Sequence, residues 1–386
     1  MLEASRDLHA ACVVRTAKLP KPVTRSTHRQ AEQARQLAHL YDNRTEEAPW
    51  DYDLLFYRWK VSPFKPHMHY LITGGAGFIG SHISERMLQE GHQVTIIDDF
   101  NTYYDPAIKH ANIADIKDDI ELVEADIRNA IAIERTFATG KFDHVFHVAA
   151  RAGVRPSIKD PKLYFTTNID GTFNLLDACR YHGVGRFTFI SSSSVYGINQ
   201  KVPFAESDPI ERTISPYAAT KLAGEQICSN YAHLFGIHCQ CLRLFTVYGP
   251  RQRPDLAISK FTNNILNGVP IQQYGDGQTA RDYTYIDDIV NGIIAASQYD
   301  AKSFDIFNLG GSATTKLSEL IALLEQTLGK QAQIEQLPDQ PGDVPRTYAD
   351  ITKAHALLGY TPQTSIQQGV KKFAEWFQAS NHTRAH

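Results

Sequence analysis

One stretch constrains this chain more than any other: Thr73-Gly74-Gly75-Ala76-Gly77-Phe78-Ile79-Gly80. It follows a short apolar run, 70–73, and precedes a stretch, 81–90, whose pattern predicts a helix stopped by Gly91. Gly74 suits a tight turn. Gly77 lets the backbone approach a pyrophosphate at the helix N-terminus, and Gly80 lets helix and strand pack closely. Glycines alone also serve plain turns. Here an acid at the right distance joins them: Asp98 ends a second predicted strand, 93–97, and lies 24 residues past Gly74. A carboxylate there accepts ribose hydroxyls and repels a 2′-phosphate, so NAD is expected in preference to NADP.

The same alternation continues. Strands are predicted at 121–125, 144–148, 187–190 and 240–245, and helices at 164–181 and 216–235. Strand-helix alternation predicts a parallel sheet covered by helices on both faces, an α/β, doubly wound architecture. After Gly249 the alternation weakens. Helices at 257–266, 318–328 and 366–378 mix with turn-rich segments, as expected of a smaller α/β part over the sheet's carboxyl edge. The expected division is a 1–66 extension, a dinucleotide-binding domain over 67–248 and a substrate-binding region over 249–386, with some segments returning to the first domain.

Two clusters carry chemistry. Tyr217 and Lys221 are four apart on one predicted helix and share a face. Ser215-Pro216 supplies an N-cap and an N1 proline, which puts the tyrosine in the first turn. A phenol titrates near 10 in water. A neighbouring ammonium and a positive nicotinamide both favour the phenolate, which makes Tyr217 a usable base. Ser191 to Ser194 follow a strand end, where an α/β sheet binds its ligands. A Ser-rich turn and an ordinary amphipathic helix are the plain alternatives.

Taken together, the Gly-rich turn, Ser191-Ser-Ser-Ser-Val-Tyr-Gly197 and Tyr217-Ala-Ala-Thr-Lys221 resemble the extended short-chain dehydrogenase/reductases. More narrowly they resemble the nucleotide-sugar 4-epimerases, from about His69 to about Phe377. The resemblance implies a Rossmann-like fold, bound NAD and C4 epimerisation of a UDP-sugar through a 4-keto intermediate. It makes Ser192 and Ser194 catalytic partners of Tyr217 and Lys221. It implies that Asn101, Asp126, Ile127, Ala149, Ala150 and Asn168 line the cofactor. Ser193, Gln272, Tyr274, Arg281 and Asp343 would hold the nucleotide sugar. Dehydratases and decarboxylases of this family carry an acid just before Val-Tyr-Gly; Ser194 stands there, which favours epimerisation.

Two further stretches, Asn101-Thr-Tyr-Tyr-Asp-Pro106 and Phe245-Thr-Val-Tyr-Gly-Pro-Arg-Gln-Arg-Pro254, are similar to the UDP-glucuronate 4-epimerases. Thr246 stands where many neutral-sugar epimerases have Asn. Arg251 and Arg253 either meet a sugar carboxylate or diphosphate, or stiffen the loop. UDP-glucose or UDP-N-acetylhexosamine epimerases are the alternative, then a dehydratase or reductase, then a non-catalytic NAD-binding scaffold.

Composition sets limits. With 39 basic and 42 acidic residues the net charge is −3, which argues against a nucleic-acid binder. No apolar run approaches the length of a membrane span, and no secretory apolar core is seen, so a cytoplasmic protein is expected. The five cysteines form no Cys-x-x-Cys pair, so neither a disulfide framework nor a metal is expected. Cys239 and Cys241 are read as buried hydrophobes on one strand face. The aromatic segment 49–64 is expected to pack on the body or a partner. A chain beginning at Met68 is expected to hold the whole catalytic fold, and the resemblance implies a homodimer through helices around 172–181 and 218–235.

Overall fold

The computed structural model describes residues 67–338 and 344–384. The expectations placed on 1–66 and on Asp343 lie outside the described residues.

Six strands in chain order build most of the sheet: β1 (His69–Thr73), β2 (Gln93–Asp98), β3 (Glu121–Glu124), β4 (His144–His147), β5 (Arg186–Ser192) and β6 (His238–Leu244). Three short strands follow, β7 (Thr246–Tyr248), β8 (Ile271–Tyr274) and β9 (Ala280–Arg281). After them come β10 (Tyr283–Tyr285), β11 (Phe304–Leu309), β12 (Thr315–Lys316) and β13 (Ile334–Leu337). The central sheet runs β11-β6-β5-β4-β1-β2-β3 with every pairing parallel. Chain order reverses between β1 and β4. Thr73 pairs with Ile97 on one side and His147 on the other, so the crevice at the switch point opens beyond these three residues.

Alternate residues divide between two cores, as the period of a strand demands. Leu71, Val145, Phe187, Phe189, Cys239 and Cys241 face one core, covered by the helices Ala130–Thr139, Gly171–His182 and Pro216–Phe235. Ile72, Phe146, Ile190, Leu242 and Leu244 face the other, covered by Phe78–Gln89 and Ile286–Ser297. Both faces are therefore dry, which is the condition for a parallel sheet. The four cysteines among the described residues are free and buried, Cys239 and Cys241 included.

Three departures from expectation have physical reasons. The single helix expected over 164–181 is broken into Pro161–Phe165, a π-helical turn Thr166–Asp170 and Gly171–His182. That widened turn carries Asn168, whose amide is needed sideways. A seventh strand, β11, extends the sheet beyond β6. Its pattern FDIFNL hides it, because Asp305 and Asn308 interrupt the apolar run. Both are buried and partnered: Asp305 Oδ1 by Lys353, Asn308 by the Tyr196 hydroxyl and the carbonyls of Phe204 and Asp350. Helix Pro106–Asn112, absent from the sequence reading, is started by Asp105, whose carboxylate accepts the N–H of Ala107 at 2.9 Å.

Past β6 the chain builds small sheets, β10-β7 and β13-β8 parallel and β12-β9 antiparallel. The helices Ala257–Asn267, Leu317–Leu328 and Ile366–Arg384 pack around them. No helix among the described residues is long and apolar enough to cross a membrane.

Candidate active site

A cavity of about 370 Å³ runs along the carboxyl edge of the sheet, from the Gly-rich turn to the serines that end β5. Its first wall is backbone. Gly74 adopts φ +67°, and a Cβ there would lie 2.8 Å from the backbone of Ala149. A Cβ on Gly80 would lie 2.2 Å from the Gly74 oxygen. Packing alone demands these two glycines. Gly77 differs: a Cβ there meets only the Gly74 oxygen, at 3.1 Å, although all three glycines line the cavity. It is also the N-cap of Phe78–Gln89 and offers no side-chain cap, so the first N–H groups of that helix remain for a ligand. A dinucleotide pyrophosphate fits this wall. Phe78 and Ile79 line it as well.

The acid end is more crowded than a lone ribose acceptor would be. Asp98 is buried, and its Oδ1 accepts the Lys109 ammonium at 2.7 Å and the Phe100 N–H at 3.1 Å. Its Oδ2 accepts the Ala76 N–H at 3.2 Å. Asp98 thus enters the site partnered by a buried cation, with Asp99 beside it on the cavity wall. Lys109 escaped the sequence reading. Its signal was the Asp105-Pro106 helix start, which turns this helix back toward the end of β2.

Asn101, Asp126, Ile127, Ala149 and Ala150 all line the cavity. Burial works against ionisation of Asp126, yet hydrogen bonds from Arg128 hold its carboxyl below the usual range. Asn168 does not line it; Thr167 does. The Asn168 Oδ1 accepts the Arg151 N–H at 2.8 Å, and its Nδ2 donates to the Arg151 carbonyl and to Thr220 Oγ1. The expected cofactor contact is therefore a strut behind the 149–153 loop.

At the far end, Ser215 caps the helix Pro216–Phe235 by accepting the Ala218 N–H at 3.1 Å, which sets Tyr217 in its first turn. Burial pushes the Tyr217 phenol up; a hydrogen bond with Ser192 and the charge of Arg253 draw it down. Ser192 Oγ also accepts the Ser194 N–H and lies 3.2 Å from Ser194 Oγ. Ser191 and Ser193 also line this wall, and the Ser191 hydroxyl donates to the buried Glu225. Lys221 corrects one expectation. Its ammonium donates to the Ile190 carbonyl at 2.7 Å, and burial lowers its pKa to about 8. The groups that favour the phenolate here are Ser192 and Arg253, because Lys221 is committed to the strand.

On the substrate side, Thr246 and Arg253 line the cavity. Arg253 makes a fork with Asp255, at 2.9 and 2.7 Å, over the ring of Tyr103. Arg251 is directed elsewhere: it reaches Glu85 and Ser81 on helix Phe78–Gln89, and so stiffens the loop. Gln272 and Tyr274 on β8 and Arg281 on β9 lie outside this lining. Tyr274 carries the Arg155 guanidinium 4.8 Å from its ring centroid, close to the 149–153 loop. Among the described residues no cluster of His, Cys, Asp or Glu is arranged to hold a metal.

The family model described as GDP-mannose 4,6 dehydratase matches residues 71–373. UDP-glucuronate 4-epimerase 3 of Arabidopsis thaliana is 42% identical over 326 residues, 80% of this chain and 76% of that protein. The crystal structure of UDP-glucuronic acid 4-epimerase from Bacillus cereus, in complex with UDP-glucuronic acid and NAD, superposes with a TM-score of 0.77 at 36% identity. It covers 81% of this chain and 100% of its own. UDP-glucose 4-epimerase of Thermotoga maritima, with UDP-glucose, gives 0.76 at 33% identity over the same shares. With the Gly-rich turn, the Ser-Tyr pair and the sheet order already in place, the chain belongs to the GDP-mannose 4,6-dehydratase family, among the nucleotide-sugar epimerases of the extended short-chain dehydrogenase/reductases.

Proposed function

We propose that the chain is an NAD-dependent UDP-glucuronate 4-epimerase. The observation that carries this reading is the hydrogen-bonded pair Ser192–Tyr217 at one end of a cavity whose other end is the Gly-rich turn. Gly74, Gly77, Phe78, Ile79 and Gly80 hold the dinucleotide, with Asp98, Asn101, Asp126, Ile127, Ala149, Ala150 and Lys221 around it. Bound there, NAD would supply the hydride acceptor and donor for C4. Tyr217 takes the proton of the sugar 4-hydroxyl and gives it back, and Ser192 and Ser194 orient that hydroxyl. The carboxylates lining the cavity among the described residues, Asp98, Asp99 and Asp126, belong to the adenosine end. Among the described residues that line the cavity, Ser194 therefore has no acid beside it to expel a 6-hydroxyl, which supports epimerisation over dehydration. Thr246 and Arg253 meet the uronate, while Gln272, Tyr274, Arg281 and Asp343 grip the nucleoside diphosphate.

We also propose a division into a cofactor domain over 67–248 and a substrate region over 249–386, with β11 returning to the first. A cytoplasmic homodimer completes the reading. The test is incubation with UDP-glucuronate, UDP-galacturonate, UDP-glucose and UDP-galactose, with NMR and mass measurement of the products. Isobaric interconversion of the two uronates, faster than that of the neutral pair, is expected. Turnover of neutral sugars alone overturns the uronate assignment. A product lighter by water or carbon dioxide overturns the epimerase.

A further inference from the structure

The helix that carries Tyr217 and Lys221 holds a third polar residue on the same face. Glu225 lies one turn beyond Lys221 and is completely buried. Its carboxylate accepts the Ser191 hydroxyl at 2.5 Å and a fork from Arg243, Nε at 2.9 Å and Nη2 at 2.8 Å. Arg243 comes from β6 and is itself 3% exposed. Its guanidinium lies 4.8 Å from the ring centroid of Tyr196, and its Nη1 is buried without a partner.

Taking both charges out of water is costly, and a hydrophobic pair of the same volume is often as stable. Fold stability is thus a poor account of this pair, and its position offers a better one. Glu225 touches both arms of the catalytic constellation. Along the helix it stands one turn from Lys221. Across to the sheet it holds Ser191, the residue before Ser192, which bonds Tyr217. The fork of Arg243, itself held over the Tyr196 ring, and the Ser191 hydroxyl leave its carboxylate little rotational freedom.

We infer that Glu225, oriented by Arg243, is a positioning residue for epimerisation: it ties the serine end of β5 to the catalytic helix and sets a negative charge one turn behind the Lys221 ammonium. This rests on the epimerase reading above. The titratable groups facing Lys221 are Cys228 and Glu225 from its own helix, Cys241 from β6 and the neutral His147 from β4, with the Phe189 ring of β5 against the ammonium. Burial draws the ammonium down to about 8, and Cys228, then Glu225, then Cys241 oppose that fall. Without the carboxylate, Lys221 gives up its proton at a lower pH.

The test uses the full chain. Glu225→Gln, Glu225→Asp and the double variant Glu225→Met/Arg243→Met are compared with the wild type, using whichever UDP-sugar the wild type turns over. NAD affinity is measured across pH alongside, a readout that needs no sugar. A wrong sugar assignment therefore leaves the test intact. We expect kcat of Glu225→Gln and of the double variant to fall on the order of 10–100-fold with KM little changed, as a small misplacement of the reacting groups would cause. The alkaline loss of both kcat and NAD affinity moves to lower pH, and Glu225→Asp recovers part of each. The double variant leaves no unpaired buried charge, so it folds if Glu225→Gln does not. A folded double variant with wild-type kcat and an unmoved alkaline limb overturns the inference, leaving the pair a structural one.

Discussion

At the scale of single residues the site turns on where one phenol gets its acidity. Burial raises the Tyr217 pKa, and the opposing influences are the Ser192 hydroxyl first and the Arg253 charge second. Tyr217→Phe should keep NAD bound and lose about 10²–10⁴-fold in turnover, the range of a lost general base. Ser192→Ala should cost less, and it should move the acidic limb of kcat to higher pH, because the phenolate has lost a donor. An acidic limb that stays in place would show that the Ser192 contact does not tune the base. Tyr217 and Lys221 were legible in the sequence because a four-residue spacing on a capped helix is local information. Glu225, Lys109 and the strut Asn168 were not legible in their true roles. Each depends on a partner, Arg243, Asp98 or Arg151, that only the folded sheet brings near. Arg251 and Arg253 show the same limit. Two arginines two residues apart diverge, one to Glu85 and one to the cavity, because the turn between them puts Arg251 at φ +64°.

At the scale of elements, β4 is the strand on which the switch point depends, and it carries two buried histidines. His144 is hydrogen-bonded to Thr188 Oγ1 at 2.8 Å and packs against the rings of Tyr70 and Phe146. His147 is bonded to Thr73 Oγ1 at 2.7 Å and Thr172 Oγ1 at 2.9 Å, fixing β4 to β1 and to helix Gly171–His182. Burial lowers both pKa values from 6.5 to about 3. The unfolded chain therefore binds these protons near pH 6.5, while the folded one refuses them until about 3. Stability from each is complete above 6.5 and is lost as pH falls toward 3. At pH 5 the loss is about 2 kcal/mol per histidine. Urea unfolding at pH 7 and pH 5 checks this: His144→Gln should lose about 2 kcal/mol less between the two than the wild type does. An equal loss in both would show that His144 is not the acid-sensitive group. Element by element, strands with uniform apolar cores and helices with clear stops were legible. β11 was not, since its polar residues look solvated until Lys353 and Tyr196 are seen beside them.

At the scale of the molecule, an apolar face among the described residues is not accounted for by their cores. The helices Gly171–His182 and Pro216–Phe235 cover one side of the sheet with their buried stripes, yet their outer sides carry Phe173 (48% exposed), Tyr181 (68%) and Leu234 (64%). Phe235, at 39%, lies under the Arg180 guanidinium, 4.1 Å from its ring centroid, which holds the patch in one shape. Large contiguous apolar surface on a soluble fold marks an interaction site, and a two-fold axis lets one patch cover its own copy. The proposed homodimer places its axis here, at the backs of the helices that carry Tyr217 and the strut Asn168's neighbours. Because the catalytic face of Pro216–Phe235 is the opposite one, assembly and chemistry are separable in principle. Tyr181→Glu combined with Leu234→Glu puts charges into the centre of the patch and should weaken self-association by roughly 100-fold or more, as lost central anchors do. Light scattering across a dilution series should then report a monomer that still binds NAD. A double variant that remains dimeric at low micromolar concentration would place the interface elsewhere. A monomer that has lost NAD would show instead that the partner copy braces the catalytic helix, tying assembly to the site.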